Sequence, residues 1–124
     1  MTELLITIPG RLPGLNEYTS ACRAKKFAGA KMKTEAQRQC QWAMAKARRQ
    51  KAHFDRVNIS IVWHEPNRRR DMDNISFGRK FIFDALQAMG ILDNDGWKQI
   101  NDINESFKVD KANPRIEVLL TATE

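Results

Sequence analysis

The chain has 124 residues, with 21 lysines and arginines against 15 aspartates and glutamates, a net charge of +6 and 42% hydrophobic residues. That is enough chain for one domain with a real core, and no apolar run approaches the ~20 residues a bilayer span requires, which argues against a membrane protein. Cys22 and Cys40 are too few for a disulfide framework and lack metal-motif spacing, so reduced thiols in a cytoplasmic protein are expected.

Residues 3–8 alternate apolar and polar up to Pro9-Gly10, which predicts a strand closed by a turn. The acidic, alternating start is not that of a signal peptide. Residues 11–30 carry Pro13, Gly14, Asn16 and Gly29 and read as a long, partly irregular loop. From Thr34 a helical stripe of Ala36, Cys40, Ala43, Met44 and Ala47 sets in. Lys46, Arg48, Arg49 and Lys51 follow at the end where cations complement the helix dipole. A helix over about 33–50 is predicted.

Residues 57–63, Val-Asn-Ile-Ser-Ile-Val-Trp, are β-branched and alternating, a pattern suited to a central strand. Past Pro66 an arginine–aspartate segment continues as loop or strand extension. Ile75, Ile82, Leu86 and Met89 share a helical face that stops at Gly90, predicting a second helix over 75–89. Two strands, about 100–109 and 115–121, close the chain. This order predicts an α/β (α+β) fold: one small domain, with a mixed sheet of about four strands packed by two main helices.

Charge is unevenly spread. Between residues 21 and 51 stand ten basic residues and one acid, Glu35; from residue 93 onward seven acids face four basic residues. Such asymmetry fits one face meeting nucleic acid, although a solvated lysine-rich helix would produce it equally well. Lys25, Lys26, Lys31 and Lys33 are the expected phosphate contacts, which position DNA without reading its sequence. Tyr18 and Phe27 lie in the same basic stretch, where a ring can stack on an unpaired base; packing is the commoner fate of such rings.

The densest chemistry is Arg68-Arg69-Arg70-Asp71-Met72-Asp73-Asn74. Three cations draw a polyanion. In an extended segment Asp71 and Asp73 share a side, and their mutual repulsion is relieved by a divalent ion. Asp93 and Asp95, in Asp93-Asn94-Asp95-Gly96, follow the second helix and can complete the cluster. Hydrolysis of a phosphodiester needs a hard cation that activates water; Mg²⁺ takes one or two carboxylates and keeps several waters. Lys80 is placed to stabilise charge in the transition state, with Asp84 one turn on to hold it.

Each part has a plainer explanation. An Asp-x-Asp pair is commonly a turn or a helix cap, and Asn74 can cap the second helix. Asp93 to Gly96 fails as a calcium loop, because Ile91 would take its first position, and reads as a turn. Lys80 and Asp84 can be an exposed helical pair. His64, at the strand end near the acidic segment, can contact DNA or take part in proton transfer, but it and, more so, His53 are expected to be structural; Trp42, Trp63 and Trp97 are expected in the core or a dimer contact.

Taken together, Arg69-Arg70-Asp71-Met72-Asp73-Asn74, Lys80 with Phe83-Asp84-Ala85-Leu86, Gly90 and Asp93-Asn94-Asp95 resemble the RusA family of Holliday junction resolvases, the crossover junction endodeoxyribonucleases. The resemblance covers most of the chain and is most specific between Arg69 and Asp95. It implies a small α/β homodimer, of a kind often found in phages and prophages, that resolves four-way DNA junctions with Mg²⁺ (or Mn²⁺) by paired symmetric nicks in recombination and repair. It implies Asp71, Asp73 and Asp95 as catalytic metal ligands, with Asp93 the second choice, Lys80 as catalytic lysine, and Arg70, flanked by Arg68 and Arg69, as a DNA contact. The segment 74–80 is about three residues longer than in compact members of the family, which leaves Arg79 as the alternative to Lys80. The competing expectations are a non-catalytic branched-DNA-binding module, a metal-dependent nuclease of other specificity such as an RNase, and a relative that has lost turnover.

Overall fold

Eight elements follow one another in the computed structural model, which describes residues 1–123. They are β1 (Glu3–Pro9), α1 (Leu15–Ala24), α2 (Ala28–Arg49), β2 (Val57–Glu65), α3 (Met72–Ser76), α4 (Arg79–Ala88), β3 (Ile100–Val109) and β4 (Arg115–Ala122). The strands form one mixed sheet in the order β1-β4-β2-β3. β4 is antiparallel to β1 and β2, whereas β2 and β3 are parallel, which requires a crossover long enough to carry the chain back. α3 and α4 are that crossover. The expected α+β architecture and four strands are what forms, and β2 is an interior strand.

β2 alternates as its sequence does. Val57, Ile59, Ile61 and Trp63 are buried in one core with Ile6, Ile8, Ile116, Val118 and Leu120 of the neighbouring strands. Helices α2 and α4 supply the other half of that core: Ala36, Cys40, Met44 and Ala47 from one, Phe81, Ile82, Ala85 and Leu86 from the other. Each large side chain buried there contributes roughly 1.5–3 kcal/mol. Most of the small residues of the α2 stripe are therefore committed inside the chain. Burial pushes the Cys40 thiol up to about 12, which leaves it protonated and inert.

The structure departs from the sequence reading in two places. Residues 11–30 are not a loop, because α1 and the start of α2 occupy most of them. Helix α1 begins at Gly14, a residue with no side chain to cap it. Two other groups do so instead: the Glu17 carboxylate accepts a hydrogen bond from the Gly14 N–H (3.4 Å), and Asn74 Oδ1 accepts one from the Asn16 N–H (2.9 Å). A Cβ on residue 14 would stand 2.6 Å from that Asn74 oxygen, so the glycine makes room for a cap donated from 58 residues away. Asn74 thus caps α1 rather than the second helix.

The predicted helix over 75–89 is two helices, α3 and α4, broken at Phe77-Gly78. Gly78 lies under the Trp63 ring, where a Cβ would come within 3.1 Å of Cη2. The chain approaches the sheet there more closely than a continuous helix with side chains would allow.

Candidate active site

Strand β2 ends in Glu65, only 4% exposed although it is an acid. A carboxylate removed from water must be paired, and Arg70 pairs it in fork geometry: Nε donates to Oε1 (3.0 Å) and Nη2 to Oε2 (2.9 Å). Arg11 Nη2 donates to Oε1 as well (3.0 Å), and Arg70 Nη1 donates to the Leu12 carbonyl (3.0 Å) and to Glu17 Oε1 (3.3 Å). One buried carboxylate therefore ties together β2, the approach to α1, and the segment 66–71. That segment arches outward, turned by Asn67, whose Oδ1 accepts the Arg69 N–H (3.0 Å). Arg68 and Arg69 are exposed on the arch, whereas the Arg70 side chain, expected to meet DNA, is 12% exposed and turned inward.

Asp71 and Asp73 are both exposed, but not as neighbours in an extended strand. Asp71 is the N-cap of α3, with φ −69° and ψ 156°, and Asp73 lies in its first turn. The residue after Pro66 and three arginines is where the chain can turn helical, so the period-two argument does not apply. Asp73 Oδ1 accepts the Asn74 N–H (2.9 Å). Beside Asp71 opens a hollow of about 360 Å³, lined by Glu65, Arg68, Met72, Phe107 and Lys108 among others.

Asp93 and Asp95 are elsewhere. Parallel pairing sets Ile100 against Val57 and Val109 against Glu65. Asp95 borders a second hollow, of about 470 Å³, with Ile100 and Asn101, at the start of β2. Asp71 borders the first hollow, at its end. Eight residue steps of strand separate the two levels, about 26 Å at 3.3 Å per residue. Among the described residues no group of three or more His, Cys, Asp or Glu side chains could hold a metal ion. The expectation that Asp95, or Asp93, joins Asp71 and Asp73 around one ion is therefore not met within one chain. Asp93 instead faces His53, Oδ1 to Nε2 3.1 Å.

Two hard oxygen donors remain at the β2 end. They suit Mg²⁺, which takes one or two carboxylates and completes its shell with water and substrate oxygens.

Lys80 is exposed in the first turn of α4. Arg79, the alternative, forms an ion pair with Glu105, Nε to Oε1 2.9 Å. Asp84 is held by Gln37 Nε2 (3.1 Å) rather than by Lys80, because α2 packs across that face. Lys25, Lys26 and Lys31 are exposed and Lys33 half-buried around the start of α2. His64 is 8% exposed and paired with Glu117, as a structural histidine should be. Trp63 is core, whereas Trp42 and Trp97 are 83% and 94% exposed and belong to no core.

Sequence reasoning missed Glu65 and the cap made by Asn74. The signal for Glu65 was present: it is the one Asp or Glu of β2, five residues before Arg70.

What the fold and this end of it define is a small α+β domain that presents exposed arginines and carboxylates together at the end of its central strand. The chain belongs to the RusA endodeoxyribonuclease family: the family model described as Endodeoxyribonuclease RusA matches residues 16–121. None of the curated proteins matches the chain.

Proposed function

We propose that the protein is a Mg²⁺-dependent endodeoxyribonuclease selective for branched DNA, resolving four-way junctions by paired symmetric nicks. The observation that carries this reading is the arch of residues 66–71 with the first turn of α3, in which Arg68, Arg69, Asp71 and Asp73 are exposed together within a chain of an endodeoxyribonuclease family. Arg68 and Arg69 attract phosphates, joined by Lys25, Lys26, Lys31 and Lys33. Arg70 acts differently, holding the arch in place through Glu65.

Asp71 and Asp73 would hold the metal, which when bound polarises a phosphoryl oxygen and eases ionisation of an attacking water. Lys80 stabilises charge that develops on the phosphate oxygens; with Arg79 engaged by Glu105, Lys80 is the cation left for that work. A homodimer suits this chemistry twice. Paired nicks on a two-fold substrate call for two symmetric sites. Two copies can also unite Asp71 and Asp73 of one chain with Asp95 of the other, which a single chain cannot do.

Junction preference would come from shape and backbone charge, so binding should fall steeply with salt. The test is Asp71→Asn on a synthetic mobile junction, with linear duplex and structured RNA alongside. Cutting that falls by about a thousandfold with junction binding kept supports the nuclease, since a lost metal ligand removes several kcal/mol of transition-state stabilisation. Cutting and binding both unchanged would mean that Asp71 holds no metal. Preference for RNA would shift the substrate class.

A further inference from the structure

Phe27 stands at the corner between α1 and α2 with 70% of its surface exposed. The corner is closely packed. Gly29 packs against Cys22 so closely that a Cβ would meet Sγ at 2.4 Å. The Ala28 N–H donates to the Lys25 carbonyl (3.2 Å) and the Lys31 N–H to the Phe27 carbonyl (3.0 Å). The backbone on both sides of Phe27 is thus hydrogen-bonded, and the ring stands exposed.

Its surroundings are one-signed. No acid occurs between Glu17 and Glu35, whereas Arg23, Lys25, Lys26 and Lys31 are exposed there, and Lys26 Nζ lies 5.3 Å from the ring centroid. Tyr18, the other ring of this stretch, is taken up by packing on Phe77 and Phe81, with centroids 5.3 and 6.3 Å away.

The corner also overhangs the right end of the molecule. Gln39 Nε2 donates to the carbonyls of Pro9 and Arg11 (3.0 and 3.1 Å), level with the strand end where Pro9 pairs with Arg115 and Arg115 with His64. Toward its C-terminus α2 descends to Met89, which Arg48 meets at 3.8 Å. Toward its N-terminus it runs the other way, and the eleven steps back to Ala28 amount to about 16 Å at 1.5 Å per residue. Phe27 thus projects past the same end of the sheet as Arg68, Arg69, Asp71 and Asp73.

We propose that Phe27 stacks on an unpaired nucleobase at the branch point of the DNA, wedging the strands apart while the flanking lysines hold their phosphates. A flat apolar ring with a lysine over it, in a stretch of exposed cations, suits a base between two phosphates better than an apolar protein surface, and stacking tolerates any base. The inference rests on the branched-DNA reading and adds to it the residue that would open the branch.

The experiment is junction binding without divalent metal, by wild type, Phe27→Ala and Phe27→Trp, on junctions carrying 2-aminopurine at the branch point. Because the ring is exposed, Phe27→Ala should melt like wild type. Wild type is expected to change the 2-aminopurine emission. Phe27→Ala should lose that change and bind junctions roughly tenfold more weakly, with duplex binding altered less than twofold, and Phe27→Trp should restore both. Junction affinity and emission kept in Phe27→Ala, or junction and duplex affinity falling together, would overturn the wedge and leave the nuclease reading standing. A wild type with no preference for junctions over duplex would sink both.

Discussion

Asp71-Met72-Asp73 and Asp93-Asn94-Asp95 are alike in composition and stand at opposite ends of β2. The first sits on an arch anchored by a buried, fork-paired Glu65–Arg70 and crowned by two exposed arginines. The second sits in a connection anchored by backbone hydrogen bonds, Phe54 N–H to the Ile91 carbonyl (3.0 Å) and Ile100 N–H to the Gly96 carbonyl (3.0 Å), with one exposed His53–Asp93 contact. The difference teaches that an Asp-x-Asp pair acquires its chemistry from what surrounds it. At one end a buried ion network sets the carboxylates among cations; at the other the same residue pattern makes a turn beside an exposed tryptophan.

The largest effect that would break this contrast lies at Glu65. Glu65→Ala strands the Arg70 guanidinium in a site where its side chain is 12% exposed. Removing one partner of a buried pair should lower stability by about 3 kcal/mol, read by urea denaturation. A loss below about 1 kcal/mol would mean that the network does not anchor the arch. The matching change at the other end is far milder. Asp93→Asn removes the charge from an exposed contact to His53, and surface pairs of this kind contribute about 0.5 kcal/mol or less. If Asp93→Asn destabilised as much as Glu65→Ala, the two ends would not differ in the way described.

The smallest effect is a matter of pH. Asp110 follows β3 at the arch end, its N–H donating to the Glu65 carbonyl (2.8 Å). Its carboxyl is held below the ordinary 3.8 by the Arg115 guanidinium, helped by the Asn113 N–H. A carboxyl depressed on folding adds stability that is fully present above its unfolded value and is lost as pH falls toward the folded one. Wild type should therefore lose more melting temperature than Asp110→Asn as pH drops from 5 to below 3.8. Parallel curves would show that the pair has no linkage to folding.

Much was legible in the residues alone. The period-two alternation of β2, the apolar stripe of α2, and the helix stop at Gly90 each encode local structure through backbone and side-chain geometry, and these elements formed nearly where expected. The RusA motif was readable too, because its chemistry is written in consecutive residues. Less was visible where an element depends on a distant partner. Helix α1 starts at a glycine because Asn74 caps it from another helix, and α3 parts from α4 because Gly78 must pass beneath Trp63. The break has only a faint local trace, a glycine inside the helical pattern, and the cap on α1 has none within its own stretch of chain.

The sequence by itself thus determined which residues are available for the chemistry, because side-chain charge and hydrophobic period are local properties. Only the tertiary structure decided which of them meet: Arg70 with Glu65, Asp84 with Gln37 rather than Lys80, and Asp71 and Asp73 apart from Asp95. Those outcomes follow from strand length and crossover direction. A parallel βαβ connection returns the chain to the start of the sheet, and about 26 Å of strand then lies between acids that are only some twenty residues apart in sequence.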